Sequence, residues 1–408
     1  MREEIPDWRY LLIGAGPAAA AAAVAIRACD REGSLLMLGA EAEGPYQRPP
    51  LSKGLWLGKD HMDDLPLKSP AEWEALAVQR HLGDPVRQLD ASARMVTTAA
   101  GKTYTYHRLL LATGGRARRP RDLPPELATR VFTLRSLDDY EGLRAALRPG
   151  LEVLVVGGGF LGAEMAAALS QQKGLSGHYA VAGAAPLAHI LPPVLQKEIG
   201  VRYEKAGVVL HPQHRLADLS LEQDRLTARF DGVGALACDL LIYATGMEAN
   251  VELAQQAGLT LRLGGVRVDA QMRSSDPHIW VAGDLASYPD PVWQVPIRLE
   301  HWDNAEATGR AAGLAMAGAG EPLTHQSLFF SDLYEFGFEA VGRCEVQRVL
   351  RVAAERGGKA AVVYYGEGSE VQGVLLWNLW DKVDTVRAGI ADRRPLDDPF
   401  WRRSLEAW

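Results

Sequence analysis

Arg48 and Lys53 stand five positions apart in the stretch GPYQRPPLSKGLW, residues 44–56. Pro49 and Pro50 between them remove backbone donors and fix φ. The segment therefore reads as a stiff, extended or turning loop, with a composition that neither a helix nor a ladder strand favours. Two cations held so firmly, just after what reads as a nucleotide-binding unit, call for a reason. A solvated basic loop is the plainer alternative.

The elements that would position such a loop are legible around it. WRYLLIGAGPAAAAAAVAIRA reads as strand, tight turn and helix, with Gly14, Gly16 and Ala19 on the G-x-G-x-x-G/A pattern. The small residues serve three steric ends, namely the sharp turn, the approach of a pyrophosphate, and the packing of helix on strand. The helix N-terminus adds bare N–H groups and a favourable dipole. LEVLVVGGGFLGAEMAAALS repeats the plan from Leu151 with Gly157, Gly159 and Gly162. Two such fingerprints imply two nucleotide-binding domains, and an enzyme with two dinucleotide sites moves electrons from a nicotinamide to a flavin.

The second strands of the two units differ. SLLMLGAEAEG presents Glu41, with Glu43 as its alternative, where a carboxylate can bind both ribose hydroxyls. GHYAVAGAAPLAHILPP has no acid; Gly183 sits where one is expected, no arginine serves a 2′-phosphate, and His189 is the cationizable group close by. The nicotinamide site is therefore expected to be weak, or unselective by the usual device.

A chain of 408 residues suggests two or three domains. The net charge of −7, with no dominant basic tract, argues against nucleic acid. Cys29, Cys238 and Cys344 form no CxxC spacing, so neither a redox-active disulfide nor a structural metal site is expected. The start of the chain offers no signal or transit peptide, and the alanine-rich run 18–28 is too short to span a membrane. A cytoplasmic protein is expected.

PYQRPPLSK, LLLATGG, VVGGGFLGAE, LIYATG, IWVAGD, RLEHWDNA and HQSLFFSDL occur in this order. In combination they resemble the apoptosis-inducing factor family of flavoproteins and the nearby oxygenase-coupled ferredoxin reductases, over nearly the full length. The resemblance implies an α/β fold with two Rossmann-like, glutathione-reductase-like dinucleotide domains and a C-terminal α+β domain. FAD would occupy 1–115 with 248–326, NADH or NADPH 116–247, and the C-terminal domain 327–408. Strands such as AAVVYYG and VQGVLLWNLW would alternate there, before a basic helix around 381–391.

By the same resemblance Arg48 reaches the FAD pyrophosphate or its surroundings, and Lys53 reaches the flavin ring with Glu164 as its carboxylate partner. Asp284 binds the ribityl chain or phosphate, or caps a helix, or does both. His301 and Trp302 lie beside the flavin, a satisfied histidine at a helix start being the equal alternative for His301. Phe160 covers the flavin face, and Phe330 stands where tryptophan is frequent. Ala18, Val86 and Arg135 complete the FAD contacts. Gly158, Gly159, Phe160 and Leu161 meet the nicotinamide pyrophosphate, while Gly246 and Glu300 hold its nicotinamide end. The expected activity is oxidation of NAD(P)H by hydride transfer to FAD, with Lys53, Glu164 and His301 as the catalytic set.

Beside the resembled family, a compact, bacterial-type form is expected, and a homodimer is a family expectation. The electron acceptor stays open among oxygen, a quinone and a small electron-transfer protein. A ferredoxin reductase would need a basic docking patch, for which Arg387, Arg393, Arg394, Arg402 and Arg403 are candidates diluted by Asp392, Asp397 and Asp398. A redox-responsive flavin-binding scaffold with little turnover is the other alternative. Disulfide or peroxide reduction is disfavoured for want of an active-site cysteine.

Overall fold

The computed structural model describes residues 5–121, 123–355 and 359–402. Two strand–turn–helix–strand runs dominate it. The first is β1 (Asp7–Ile13), α1 (Pro17–Cys29) and β2 (Leu35–Leu38). The second is β3 (Glu152–Val156), α2 (Phe160–Leu169), β4 (Ser176–Ala180) and, after a further helix, β5 (Val208–His211). Helix α3 (Trp302–Met316) follows much later.

The chain divides into two compact units. One comprises residues up to Gln47, Asp63–Arg116 and Glu248–Ser327. Its main sheet has the order Gln79–His81, β2, β1, Thr103–Leu111, Met95–Thr98, Val86–Asp90, with Ile279–Val281 also paired to Thr103–Leu111. The strands around β1 run parallel, and Met95–Thr98 and Val86–Asp90 form an antiparallel extension. Residues Tyr10 to Ile13 and all of β2 are buried, which is why these strands read as unbroken apolar runs.

The small residues of α1 have a partner. A Cβ on Gly309 or Gly313 of α3 would lie 2.2 or 2.4 Å from the carbonyl oxygens of Ala18 and Ala22. Helix α3 thus approaches α1 backbone to backbone, and only glycine permits that spacing.

The other unit comprises Arg48–Met62, Ala117–Met247 and the chain from Leu328 on. Its five-stranded parallel sheet has the order β5, β4, β3, Leu240–Tyr243, Val131–Phe132. An antiparallel three-stranded meander spans Leu216–Glu222, Arg225–Phe230 and Gly234–Cys238. A five-stranded antiparallel sheet follows in the order Leu328–Leu333, Phe336–Gly342, Glu370–Trp377, Ala361–Glu367, Val349–Ala354.

Three local expectations are corrected. Pro49–Ser52 is a 3-10 turn leading into a short helix, Gly54–Leu57, because prolines at the first helical positions carry a preset φ and need no donor. Ala361–Gly366 and Val371–Trp377 are buried throughout, without alternation. The helix expected there is Val383–Ala391, VDTVRAGIA, and is not basic: Arg387 pairs with Asp384 at 3.1 Å.

Candidate nucleotide and redox site

The two glycine turns are built alike. Gly14 has φ +117° and Gly157 φ +137°, and a Cβ on either would lie 2.1 Å from the carbonyl oxygen of Ala112 or Ala244. A Cβ on Gly162 would stand 2.0 Å from the Gly157 carbonyl oxygen, whereas Ala19, its counterpart in the first turn, is accommodated and buried. The middle glycines behave differently. A Cβ on Gly16 or Gly159 would meet nothing within 4 Å. These two residues are the N-caps of α1 and α2, which have no side-chain cap bond and no acid in the first turn. Each turn therefore leaves an open cradle before bare helical N–H groups, which fits a pyrophosphate. Ala18, Gly158 and Leu161 belong to the same two turns, and the Gly158 carbonyl accepts the Leu187 amide at 3.0 Å.

In the second unit Glu164, on α2, is buried at 8% exposure. Ser52 Oγ donates to its Oε2 at 2.6 Å and Ser331 Oγ to its Oε1 at 2.7 Å. Lys53 Nζ stands 3.3 Å from Oε1, 3.1 Å from Asp332 Oδ2 and 4.2 Å from the centre of the Phe330 ring. Desolvation pushes the Glu164 carboxyl up from its ordinary value, opposed by Lys53 and the two serines. Lys53 lies between the 3-10 turn and the short helix, at φ −130°, ψ −101°. The structure thus brings Lys53, Glu164 and Phe330 together. It adds Ser52, Ser331 and Asp332, which sequence reasoning passed over although all three lie inside the quoted motifs.

Arg48 Nη1 donates to the Arg135 carbonyl at 2.5 Å, and the Arg135 amide to Asp139 at 2.8 Å. Phe160 packs in an aromatic cluster, 5.6 Å from Phe329, 5.7 Å from His189 and 6.0 Å from Phe338 between ring centres. Burial lowers the His189 pKa. Gly246 takes φ +101°, and its carbonyl accepts the Arg118 amide.

In the first unit Glu41, just beyond β2, accepts a bond from the Tyr46 hydroxyl at 2.5 Å. Val86 opens the edge strand Val86–Asp90 of the sheet. Asp284 is buried within the single 3-10 turn Gly283–Leu285, whose N-cap position is Ala282, so Asp284 is not the cap that strand-end aspartates often are. His301 is the N-cap residue of α3 and Trp302 its first residue. Desolvation lowers the His301 pKa to about 4 despite Asp284 and Asp303, so its imidazole is neutral at pH 7. Glu300 pairs with Arg298 at 2.8 Å. A buried network joins Tyr288 and Ser327 hydroxyls to Asn304 Oδ1 at 2.6 and 3.2 Å.

Gly183 is not as isolated from cations as the linear sequence implies. The Gln213 amide donates to the Gly183 carbonyl at 2.8 Å, and the His214 amide to the Val181 carbonyl at 2.9 Å. Pairing of β5 with β4 is what brings this distant segment alongside.

All three cysteines are free thiols, Cys29 exposed and Cys238 buried. Of the C-terminal arginines, Arg394 pairs with Asp392 at 2.8 Å and Asp398 at 3.7 Å, so the surface is mixed in charge rather than a basic patch. Arg403 lies outside the described residues. No helix among the described residues is long and apolar enough to cross a membrane.

Residues 8–309 match the family model described as pyridine nucleotide-disulphide oxidoreductase. The anthranilate 1,2-dioxygenase system ferredoxin–NAD(+) reductase component of Burkholderia cepacia is 32% identical over 405 residues, covering 96% of this chain and 97% of that protein. The putative mitochondrial apoptosis-inducing factor 1 of Drosophila melanogaster is 27% identical over 95% of this chain, which spans 64% of the fly protein. The solved covalent putidaredoxin reductase–putidaredoxin complex superposes with a TM-score of 0.87 at 27% identity, covering 95% of this chain and 94% of that one.

Proposed function

Because the chain belongs to the pyridine nucleotide-disulphide oxidoreductase family, we propose that it oxidises NAD(P)H through bound FAD and passes the electrons to a small iron–sulfur carrier protein. The observation that carries the reading is the pair of glycine turns, each with a middle glycine open to a ligand and an uncapped helix behind it. The turn at Gly14 to Ala19, with Glu41 and Asp284, takes FAD. The turn at Gly157 to Gly162 takes the nicotinamide nucleotide. When bound, FAD supplies the chemistry by accepting hydride from nicotinamide C4.

The chain's own groups then position and polarise. Lys53 holds a fixed positive charge for the flavin ring, and Glu164 and Asp332 hold Lys53. Ser52 and Ser331 keep the Glu164 carboxylate in one orientation. His301, neutral at pH 7, serves as a hydrogen-bonding group rather than a cation. No side chain need act as acid or base in the hydride step; orientation is the protein's main contribution.

Relatives whose names carry such a partner favour a carrier-protein acceptor: the Burkholderia ferredoxin–NAD(+) reductase component and the putidaredoxin reductase–putidaredoxin complex. The reading implies a cytoplasmic enzyme. Its test is an anaerobic spectral titration of the purified protein with NADH and with NADPH, followed by addition of an oxidised [2Fe–2S] ferredoxin. Bleaching of the flavin band and its return on ferredoxin addition are expected. A flavin that dithionite bleaches but neither nucleotide does would overturn the reading. If the flavin is bleached but ferredoxin does not restore it, the carrier assignment fails.

A further inference from the structure

The carboxyl ends of β4 and β5 carry a group of cationizable residues that this mechanism leaves unused. The Val181 amide donates to the His211 carbonyl at 3.0 Å, in addition to the bonds from Gln213 and His214 back to Gly183 and Val181. Three backbone bonds thus fasten the turn 211–215 along residues 181–183. That is the stretch at which a dinucleotide fold meets the adenosine ribose, where a carboxylate selects a free 2′-hydroxyl and a cation accommodates a 2′-phosphate.

Gly183 offers no carboxylate, although a Cβ there would make only ordinary contacts, 3.7 Å from Ala188 Cβ. The neighbouring turn offers imidazoles and an arginine instead. His178 Nδ1 is 3.0 Å from His211 Nε2 with the rings stacked, and the His211 and His214 ring centres are 5.2 Å apart. His214 Nδ1 donates to the Pro212 carbonyl at 2.8 Å, which orients the ring. Arg215 is exposed, and among the described residues no carboxylate pairs with it; its carbonyl accepts the Asp231 amide at 3.0 Å, which fixes its backbone. Gln213 takes φ +59°, a left-handed conformation that non-glycine residues adopt at a cost and that recurs at ligand-binding turns. Burial, with His178 and His214 adding to it, lowers the His211 pKa to about 4.

We propose that the turn 211–215, through His214 and Arg215, recognises the 2′-phosphate of NADPH, so that the hydride donor is NADPH rather than NADH. The proposal rests on the reading of Gly157 to Gly162 as the nicotinamide nucleotide site. A carboxylate at position 183 would repel the same phosphate.

The test is calorimetric binding of 2′,5′-ADP and of 5′-AMP to the holoenzyme, alongside the anaerobic titrations. The expected result is 2′,5′-ADP binding at least about tenfold more tightly, a difference of about 1.4 kcal/mol. In Arg215→Ala and His214→Ala that preference falls by about tenfold while 5′-AMP affinity moves less than about twofold. Gly183→Glu reverses the preference toward NADH. Equal affinity of the wild type for the two nucleotides, or a preference that survives both alanine variants, overturns the proposal. NADPH bleaching the flavin no better than NADH also overturns it and leaves the hydride reading standing. If neither dinucleotide bleaches the flavin yet 2′,5′-ADP is preferred, the hydride reading falls and the recognition stands.

Discussion

Glu164 carries a carboxylate into a place where two hydroxyls and one ammonium receive it. Its raised pKa means that ionisation is, on balance, less favourable in the folded chain than in the unfolded one. For a group shifted upward, the stability it contributes is present below the ordinary carboxylate value and is lost as pH rises through the shifted value. Glu164→Gln imitates the protonated acid. In flavin-stripped protein its Tm should match the wild type near pH 4 and exceed it at pH 8, by thermal melts at both. The opposite order would refute that account. In the holoprotein the same variant should slow flavin reduction by roughly tenfold or more, because Lys53 then lacks its buried anionic partner. Lys53 and Glu164 were legible through the resemblance, which pairs the lysine of PYQRPPLSK with the glutamate of VVGGGFLGAE. Ser52 and Ser331 lie inside such motifs too, but a lone hydroxyl has neither charge nor periodicity to betray that it bonds a carboxylate 112 or 167 positions away. The turn at His214 escaped for a related reason, since strand pairing rather than chain proximity brings it to Gly183.

At the scale of the element, the glycines of one turn divide into two kinds, and substitution separates them. Gly14→Ala collides with the Ala112 carbonyl and must take φ +117°, so it should destabilise by about 2 kcal/mol or more. Gly16→Ala meets no protein atom. It should leave the melting of stripped protein nearly unchanged while greatly reducing FAD content, read from the absorbance ratio of the purified protein. A large loss of stability in Gly16→Ala would place that glycine's role in folding instead. These turns were readable in advance because buried parallel strands and glycine spacing are local signals. The 3-10 turn at Pro49–Ser52 was not, since proline reads equally as a loop and as a helix start. The fully buried strands of the C-terminal sheet hid likewise, because alternation disappears once both faces are covered.

Over the whole molecule, neither compact unit is a continuous piece of chain. Residues 1–116 lack Ile279–Val281 and α3, which complete the first unit's sheet and cover α1. By contrast 117–247 contains every strand of the five-stranded parallel sheet and of the meander. A fragment of residues 117–247 is therefore expected to fold cooperatively, with a lower Tm than the full chain, and 1–116 is not; circular dichroism melts of the two decide. The thiols bring a different consequence. Cys238 has its pKa pushed up to about 12 by burial, and that of Cys344 is raised as well, whereas Cys29 is exposed at the last turn of α1. Under native conditions the protein thus offers one fast-reacting sulfur, about 20 Å along a rigid rod from the cradle at Gly16. A maleimide dye or a gold surface would attach there in a single defined orientation, making the molecule a ready component for an electrode that reads nicotinamide oxidation as current.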